Sequence, residues 1–365
     1  MTIDKVEHCA GCFLCTEVCP KKCISISYDK LGHMQPHIDT VKCVDCGACV
    51  KVCPELCIVV KKPSIKVLAS WDKDNESREK SSSGGLATSL SRKVIEKGGV
   101  VYGCAFVQPF SFEHVRCSTI EDVERFRGSK YVQSDTSKCW SALRQDVKQG
   151  LRVLFIGTPC QVAAARRAVN DADNLFTIDL ICHGVPSLKI LKDSLPKKIF
   201  VLSFDKVEFR DSTNFHFSAK RGNSVVYDRI LSKDWYLKGF FTALYYRDSC
   251  YFCKYANEKR CGDITLGDFW GVDKKQIDTD IEKGLSLVMI NTNKGELLVD
   301  DIKDEIFVVE RPVEEAIAGN KQLSKPVLRR WGARVFSALY PYCGFKLSLF
   351  AAIPAVVLKN ILLKR

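Results

Sequence analysis

Nineteen cysteines occur in this chain, and eight of them form two copies of one pattern. The first copy is Cys9-x2-Cys12-x2-Cys15-x3-Cys19-Pro20, and the second is Cys43-x2-Cys46-x2-Cys49-x3-Cys53-Pro54. Each cysteine stands 34 residues after its counterpart. A cubane iron–sulfur cluster needs four thiolates around one cage. Three closely spaced cysteines supply three of them, and a remote cysteine before proline supplies the fourth. In a two-cluster arrangement that fourth ligand crosses over. The spacing therefore predicts one [4Fe-4S] cluster on Cys9, Cys12, Cys15 and Cys53, and another on Cys43, Cys46, Cys49 and Cys19. Paired C-x2-C motifs also suit tetrahedral zinc. A zinc site uses a single four-ligand set, however, not a doubled run with proline after each last cysteine. Cys23 and Cys57 continue the repeat and read as small buried apolar residues.

Composition bounds the rest. A chain of 365 residues, 46% hydrophobic and 27% charged, has room for a cluster module and one or two cored domains, and is not disordered. Disulfide scaffolds are short and secreted, whereas this chain is long, and Met1 to Glu7 lacks the apolar core of a signal peptide. The expected location is a reducing cytoplasm. The net charge of +12 is uneven, with nine basic residues and no acidic one from Ala316 to Arg365. No nucleic-acid recognition pattern accompanies it, so nucleic acid is not expected as a partner. Basic residues interleaved with Leu, Phe, Val and Trp suit an anionic membrane surface or an acidic protein, which would place the chain peripherally at the inner membrane face. A basic helix packed on the protein's own core would read the same way. The longest uncharged run, 347–358, has 12 residues and contains Pro354, too short to span a bilayer as one helix.

The elements that must position these residues fall into four stretches. Residues 1–62 form the cluster module, an α+β ferredoxin-like unit of two clusters. Residues 70–145 and 146–310 form two parts of one α/β domain with a mixed sheet, and residues 316–365 form the basic amphipathic tail. Leu86, Leu90 and Val94 recur every four residues after Ser-Gly-Gly, which predicts a helix. Residues 99–106 predict a strand, and Ser118-x-x-Glu121 predicts a capped short helix. Asp135 is placed to cap a helix carrying Trp140, Leu143 and Val147. The apolar run 151–156 reads as a buried parallel strand. Thr158 and Pro159 then open a helix to Val169, and 175–181 is the next strand. Such a strand–helix–strand unit puts chemistry at the carboxyl ends of its strands, where Cys160 and Cys182 stand. Phe215, Phe217 and Ala219 alternate toward Arg221-Gly222-Asn223, a hairpin. Residues 264–266 and 285–290 predict further strands. No G-x-G-x-x-G run marks an ordinary dinucleotide fold.

Five segments stand out beyond residue 80. They are Ser82-Ser83-Gly84-Gly85-Leu86-Ala87-Thr88, Arg127-Gly128-Ser129-Lys130-Tyr131-Val132-Gln133-Ser134, Gly157-Thr158-Pro159-Cys160-Gln161, Cys182-His183-Gly184-Val185-Pro186-Ser187, and Cys250-x2-Cys253-x7-Cys261 running into Gly262-Asp263-Ile264-Thr265-Leu266-Gly267-Asp268. In this order they resemble the coenzyme F420 hydrogenase/dehydrogenase beta-subunit family over roughly residues 1–290. The resemblance implies a FAD-binding mixed sheet. Ser82, Ser83, Gly84, Gly85 and Thr88 would hold phosphate at a helix start, against the alternative of a serine-rich linker. Lys130, Tyr131, Gln133 and Ser134 match its flavin-contacting segment, with Thr158, Pro159, Gln161 and Asp268 completing the cofactor set. Cys160 and His183 are the catalytic candidates, and each has a plain structural alternative. Cys250, Cys253 and Cys261 offer three ligands for a third [4Fe-4S] cluster, with Cys160 or Cys182 as the fourth. Zinc or free thiols would use the same residues. Cys104, Cys117, Cys139 and Cys343 read as packing residues.

The function implied is an oxidoreductase passing electrons between clusters and FAD. Hydride would go to or come from a coenzyme F420-like deazaflavin or another small molecule, and ferredoxin or another redox protein would be the electron partner. The competing reading is an electron-transfer subunit that feeds a partner enzyme and has no substrate of its own.

Overall fold

The computed structural model describes residues 3, 6–201, 204–211 and 214–353. Its centre is an eight-stranded mixed sheet. The strands run in the order Ile306–Glu310, Lys66–Asp72, Ser286–Ile290, Ile264–Asp268, Leu175–Leu180, Val153–Gly157, Val100–Val107 and Ser111–Cys117. The four from Ile264–Asp268 to Val100–Val107 are mutually parallel, and the rest pair antiparallel. Successive side chains on a strand point to opposite faces, and both faces here are buried. Val100, Tyr102, Val153 and Phe155 pack against Trp140, Leu143 and Val162 on one side. Val101 and Leu154 pack against Leu86, Leu90 and Val94 on the other. A sheet covered on both faces needs near-continuous apolar strands, which is what 151–156 supplies.

The helices form at Leu86–Glu96, Trp140–Lys148 and Pro159–Ala168. Thr158 and Gln161 make a capping box around Pro159, with the Thr158 N–H donating to Gln161 Oε1 at 3.0 Å. Two caps differ from expectation. Thr119, not Ser118, accepts from the N–H of Asp122 and opens Ile120–Val123. Asp135 accepts from Ser137 N and caps only a turn, so Cys139 sits at the start of the Trp140 helix. The hairpin pairs Phe215–Arg221 with Ser224–Ile230, and Lys206–Arg210 completes that three-stranded sheet.

Among its described residues the N-terminal module has two short α-helices, Leu14–Val18 and Ala48–Val52, and one hairpin, Ile24–Tyr28 with Met34–Ile38. Its repeat is visible in the backbone. Gly11 and Phe13 are left-handed in the first loop, and their counterparts Asp45 and Gly47 are left-handed in the second. Glycine therefore takes a different one of the two positive-φ positions in each copy.

The basic segment is packed on the fold as far as it is described. Ala316 and Leu323 are buried against the sheet, and Phe336, Tyr340, Phe345 and Leu349 enter an aromatic core with Tyr236 and Tyr245. The helix Trp331–Ala352 is 22 residues long and apolar enough to span a bilayer by length and composition. It is nevertheless broken at Gly344 (φ 69°) just after Pro341, and it folds back on itself. A Cβ on Gly332 would lie 2.6 Å from the carbonyl oxygen of Ala352, so the two halves touch. Trp331, Tyr342 and Leu347 stay exposed on this hairpin. Pro354 and the last basic residues lie outside the described residues.

Candidate functional site

Two small cavities occupy the N-terminal module. One is lined by Cys9, Cys12, Cys15 and Cys53, and the other by Cys19, Cys43, Cys46 and Cys49, with Cys23 beside them. These are the two crossed sets that the spacing predicts, and all eight thiols are free. Burial, then the neighbouring Cys9 and Cys53, pushes the Cys15 thiol up to about 12. Thiols crowded round a gap in this way fit a cationic iron cage, which would take up the negative charge. Cys23 Sγ lies 3.3 Å from Cys19 Sγ, whereas Cys57 turns away to the carbonyls of Val50 and Lys51. Of the eight, Cys46 alone is exposed, with Val41 (94% exposed) and Val44 on the same loop.

A third group of thiols lies where the parallel strands end. Cys160 is in the first turn after Val153–Gly157, Cys182 follows Leu175–Leu180, and Cys250 and Cys253 come from the turn around Asp248–Tyr251. Burial raises the Cys182 thiol, and the next influences are Cys250, Cys160 and Cys253. Cys160 is pushed up to about 12 by burial, then by Cys253 and Cys250, and its Sγ is 3.2 Å from Thr158 Oγ1. Cys261 packs in the same apolar cluster as Cys160 and Cys253, and its thiol has further partners. Its Sγ points to the carbonyl of Pro159 (3.2 Å) and to Asp179 Oδ2 (3.5 Å). Asp179 also accepts from Cys261 N, Gly262 N, Thr265 and Arg260, so this part of the Cys261–Asp268 motif is a buried hydrogen-bond network.

Above these thiols a cavity of about 520 Å³ opens at the carboxyl edge of the sheet. Ser82, Ser83, Gly85 and Thr88 line it, with Lys130, Tyr131 and Ser134, and with Thr158, Gln161, His183 and Asp268. Cys182 lines it too. Gly84, Gln133, Pro159 and Cys160 are not on its wall. Two helices begin at this cavity, and they differ. The Pro159 helix is closed by its own capping box, and Gln161 also donates to Ser134 Oγ at 2.9 Å. The Leu86 helix starts at Gly85 (φ +94°) with no side chain capping it. Its first N–H groups and positive dipole end are thus available to an anion, which fits a cofactor phosphate.

Other candidates have partners that redefine their part. Lys130 Nζ donates to the carbonyls of Phe126 (2.9 Å) and Arg127 (2.7 Å). Burial pulls its pKa down to about 8, so it remains an ammonium at neutral pH, held on the wall rather than reaching across it. The Tyr131 ring stacks on Phe240 at 4.8 Å, beside Phe215 and Phe241. Asp268 Oδ2 holds Arg210 Nη1 at 2.5 Å, and that guanidinium lies over the rings of Phe215 and Trp270. His183 is exposed at the mouth, where Gln322 Nε2 donates to its Nδ1 at 2.9 Å. That leaves Nε2–H as a donor.

Several residues of the site carried no sequence signal. His114 is buried on the cavity wall, with Nε2 donating to Ile156 O and Nδ1 accepting from Ser134. Burial lowers it to about 4, so the ring is neutral and serves as a brace. Cys104 lines the cavity and Cys343 is exposed, so neither is a plain packing residue, whereas Cys117 and Cys139 are buried as expected. An aromatic alternating with polar residues in a strand is the pattern that hid His114 in Phe112–His114.

Known protein families match three stretches of the chain. Residues 8–57 match the 4Fe-4S dicluster domain. Residues 67–140 and 150–316 match the N-terminal and C-terminal models of the coenzyme F420 hydrogenase/dehydrogenase beta subunit. A mixed α/β fold behind a dicluster domain defines an iron–sulfur redox protein. More particularly, the chain belongs to the coenzyme F420 hydrogenase/dehydrogenase beta-subunit family. A subunit of the F(420)H(2) dehydrogenase of Methanosarcina mazei is 26% identical over 258 residues, which cover 68% of this chain. The match spans 65% of that relative's length. The fold is similar to a chain of the F420-reducing [NiFe] hydrogenase complex from Methanosarcina barkeri, with a TM-score of 0.50 and 22% identity. That likeness covers 73% of this chain and 89% of the other.

Proposed function

We propose that this chain is an iron–sulfur flavoprotein relaying electrons between a redox protein and a small-molecule hydride acceptor or donor. One observation carries the reading. Cys182 lines the large cavity, and after burial the strongest influences on its thiol are Cys250, Cys160 and Cys253. Read as iron ligands, these four thiols would put a cluster at the wall of a space suited to a flavin. When bound, [4Fe-4S] clusters supply one-electron steps and FAD supplies conversion to hydride transfer, since a flavin holds one or two electrons and each cluster one.

The chain's own residues do the rest. Cys46 and Val41 present an exposed docking point for a ferredoxin or a similar carrier. The sets Cys19/43/46/49, Cys9/12/15/53 and Cys160/182/250/253 then lead inward to the cavity. Gly85 and the open helix start hold phosphate, Lys130 supplies a positive wall, and Tyr131 with Phe240 offers an aromatic face for a ring. His183 Nε2–H is placed to donate to a substrate oxygen at the mouth. A deazaflavin such as coenzyme F420, which the relatives' names carry, is the substrate class this resemblance favours.

The third ligand set separates this reading from a plain two-cluster carrier. Cys182→Ala is expected to lose about four irons per chain and to leave bound flavin unreduced by the N-terminal clusters. Cys261→Ala is expected to keep its iron, because its thiol faces Asp179. Anaerobic iron analysis and flavin bleaching on both variants read this. Iron loss from Cys261→Ala with none from Cys182→Ala would reverse the assignment.

A further inference from the structure

Arg247 is among the most deeply buried large side chains of the protein, at 1% exposure, and it lies between the N-terminal module and the Cys250 turn. Its Nη1 donates to the carbonyl of Cys9 at 3.0 Å, and its Nη2 to the carbonyl of Met34 at 2.5 Å. Nε and Nη2 both donate to Gln133 Oε1, at 3.2 and 3.0 Å. All three acceptors are uncharged. The adjacent carboxylate, Asp248, is held by Arg329 at 2.8 Å and His8 at 2.9 Å instead. No carboxylate among the described residues is within ion-pair distance of Arg247.

A buried guanidinium without a counter-ion is costly even when its N–H groups are bonded, because hydrogen bonds to neutral carbonyls do not cancel the charge. The surroundings are built to keep it there. Gly11 is left-handed (φ +70°), and a Cβ on it would lie 2.6 Å from both Arg247 Nη2 and Gln133 Nε2. Gln133, turned from the cavity, also donates to the carbonyl of Gly11 at 3.3 Å. Arg247 is tied to Cys9 through its Nη1 bond to that carbonyl, and to Cys250, three residues on, whose N–H donates to the Arg247 carbonyl at 2.9 Å. The two cysteines belong to two different four-thiol sets.

We infer that Arg247 is the counter-ion shared by the Cys9/12/15/53 cluster and the Cys160/182/250/253 cluster, and that it raises the reduction potential of both without acting on the Cys19/43/46/49 cluster. This rests on the cluster reading above and goes beyond it. Four thiolates around an iron cage leave a net negative charge, and one added electron increases it. A fixed positive charge stabilises the reduced form more than the oxidised form. No proton or bond changes place. Arg247 would thus favour the movement of electrons inward from the exposed Cys46 end, and it is a positioning residue that acts through both inner clusters.

The test is a potentiometric titration of the full, cluster-loaded chain followed by electron paramagnetic resonance. In Arg247→Gln the potentials of the two flanking clusters should fall, while that of the Cys19/43/46/49 cluster stays in place as an internal standard. Arg247→Lys keeps the charge without the planar fork and should stay near the wild-type potentials. If Arg247→Gln fails to hold iron, Arg247→Lys decides alone: near wild-type potentials support the inference, and potentials lowered at full iron load overturn it. Unshifted potentials in Arg247→Gln, or an equal shift of all three clusters, also overturn it. A wild type lacking three cluster signals would instead refute the underlying cluster reading, and this shows before any variant is made.

Discussion

Ala87→Glu should purify without flavin, while Ala87→Gln should retain it. Ala87 is the second residue of the helix Leu86–Glu96, partly exposed and on the cavity wall. A carboxylate there would stand beside the space that the open helix start offers to a phosphate. Two like charges about 4 Å apart at an effective dielectric near 20 repel by about 4 kcal/mol. That is roughly a thousandfold in affinity. Glutamine has the same reach without the charge, so it separates repulsion from crowding. Flavin content and fluorescence titration with FAD measure the difference, and equal loss in both variants would refute phosphate binding at this helix. Gly85 is the less informative site for such a test. Its positive φ, and a Cβ that would approach Asp72 Cβ at 3.0 Å, mean any side chain there disturbs the helix start whether or not phosphate binds.

The second large effect is Cys19→Ala. Although Cys19 belongs by sequence to the first motif, it lines the cavity of Cys43, Cys46 and Cys49. Its removal should cost about four irons, taken from the exposed cluster, and leave the Cys9/12/15/53 cluster intact. Paramagnetic resonance of the reduced protein distinguishes the two, since the inner cluster lies beside Arg247 and the outer one does not. Loss of the inner signal alone would show that ligation is not crossed.

How much of this was legible in the sequence depended on distance along the chain. The two groups of N-terminal cysteines were legible because short loops set their geometry, and the structure shows the same two left-handed positions in each copy. The helix at Leu86, the Thr158 cap and the strands around 153 and 175 were readable for the same reason: periodicity and capping are local. The third thiol group was legible only in part, since spacing named Cys250 and Cys253 but left Cys160 and Cys182 as alternatives. Cys160 and Cys182 end neighbouring parallel strands, and Cys250 and Cys253 come from a distant turn, so sheet order brings them together. Spacing grouped Cys261 with Cys250 and Cys253, but a buried carboxylate, Asp179, engages it. Lys130 and Gln133 matched a flavin-contacting segment, yet Lys130 is bound by carbonyls of its own loop and Gln133 by Arg247. Ser118 and Thr119 are adjacent hydroxyls, and pattern could not choose between them. Arg247 belonged to no motif, because its meaning lies in what it lacks, a carboxylate partner.

On the proposed reading, iron–sulfur clusters and a flavin share one continuous path in this chain. The most direct measurement is anaerobic reconstitution with iron, sulfide and excess FAD, desalting, and then quantification followed by stepwise reduction. The expected result is about twelve irons and one flavin per chain, with the cluster absorbance bleaching before the flavin. Full iron with no retained flavin, or a bound flavin that the reduced clusters leave oxidised, would contradict it.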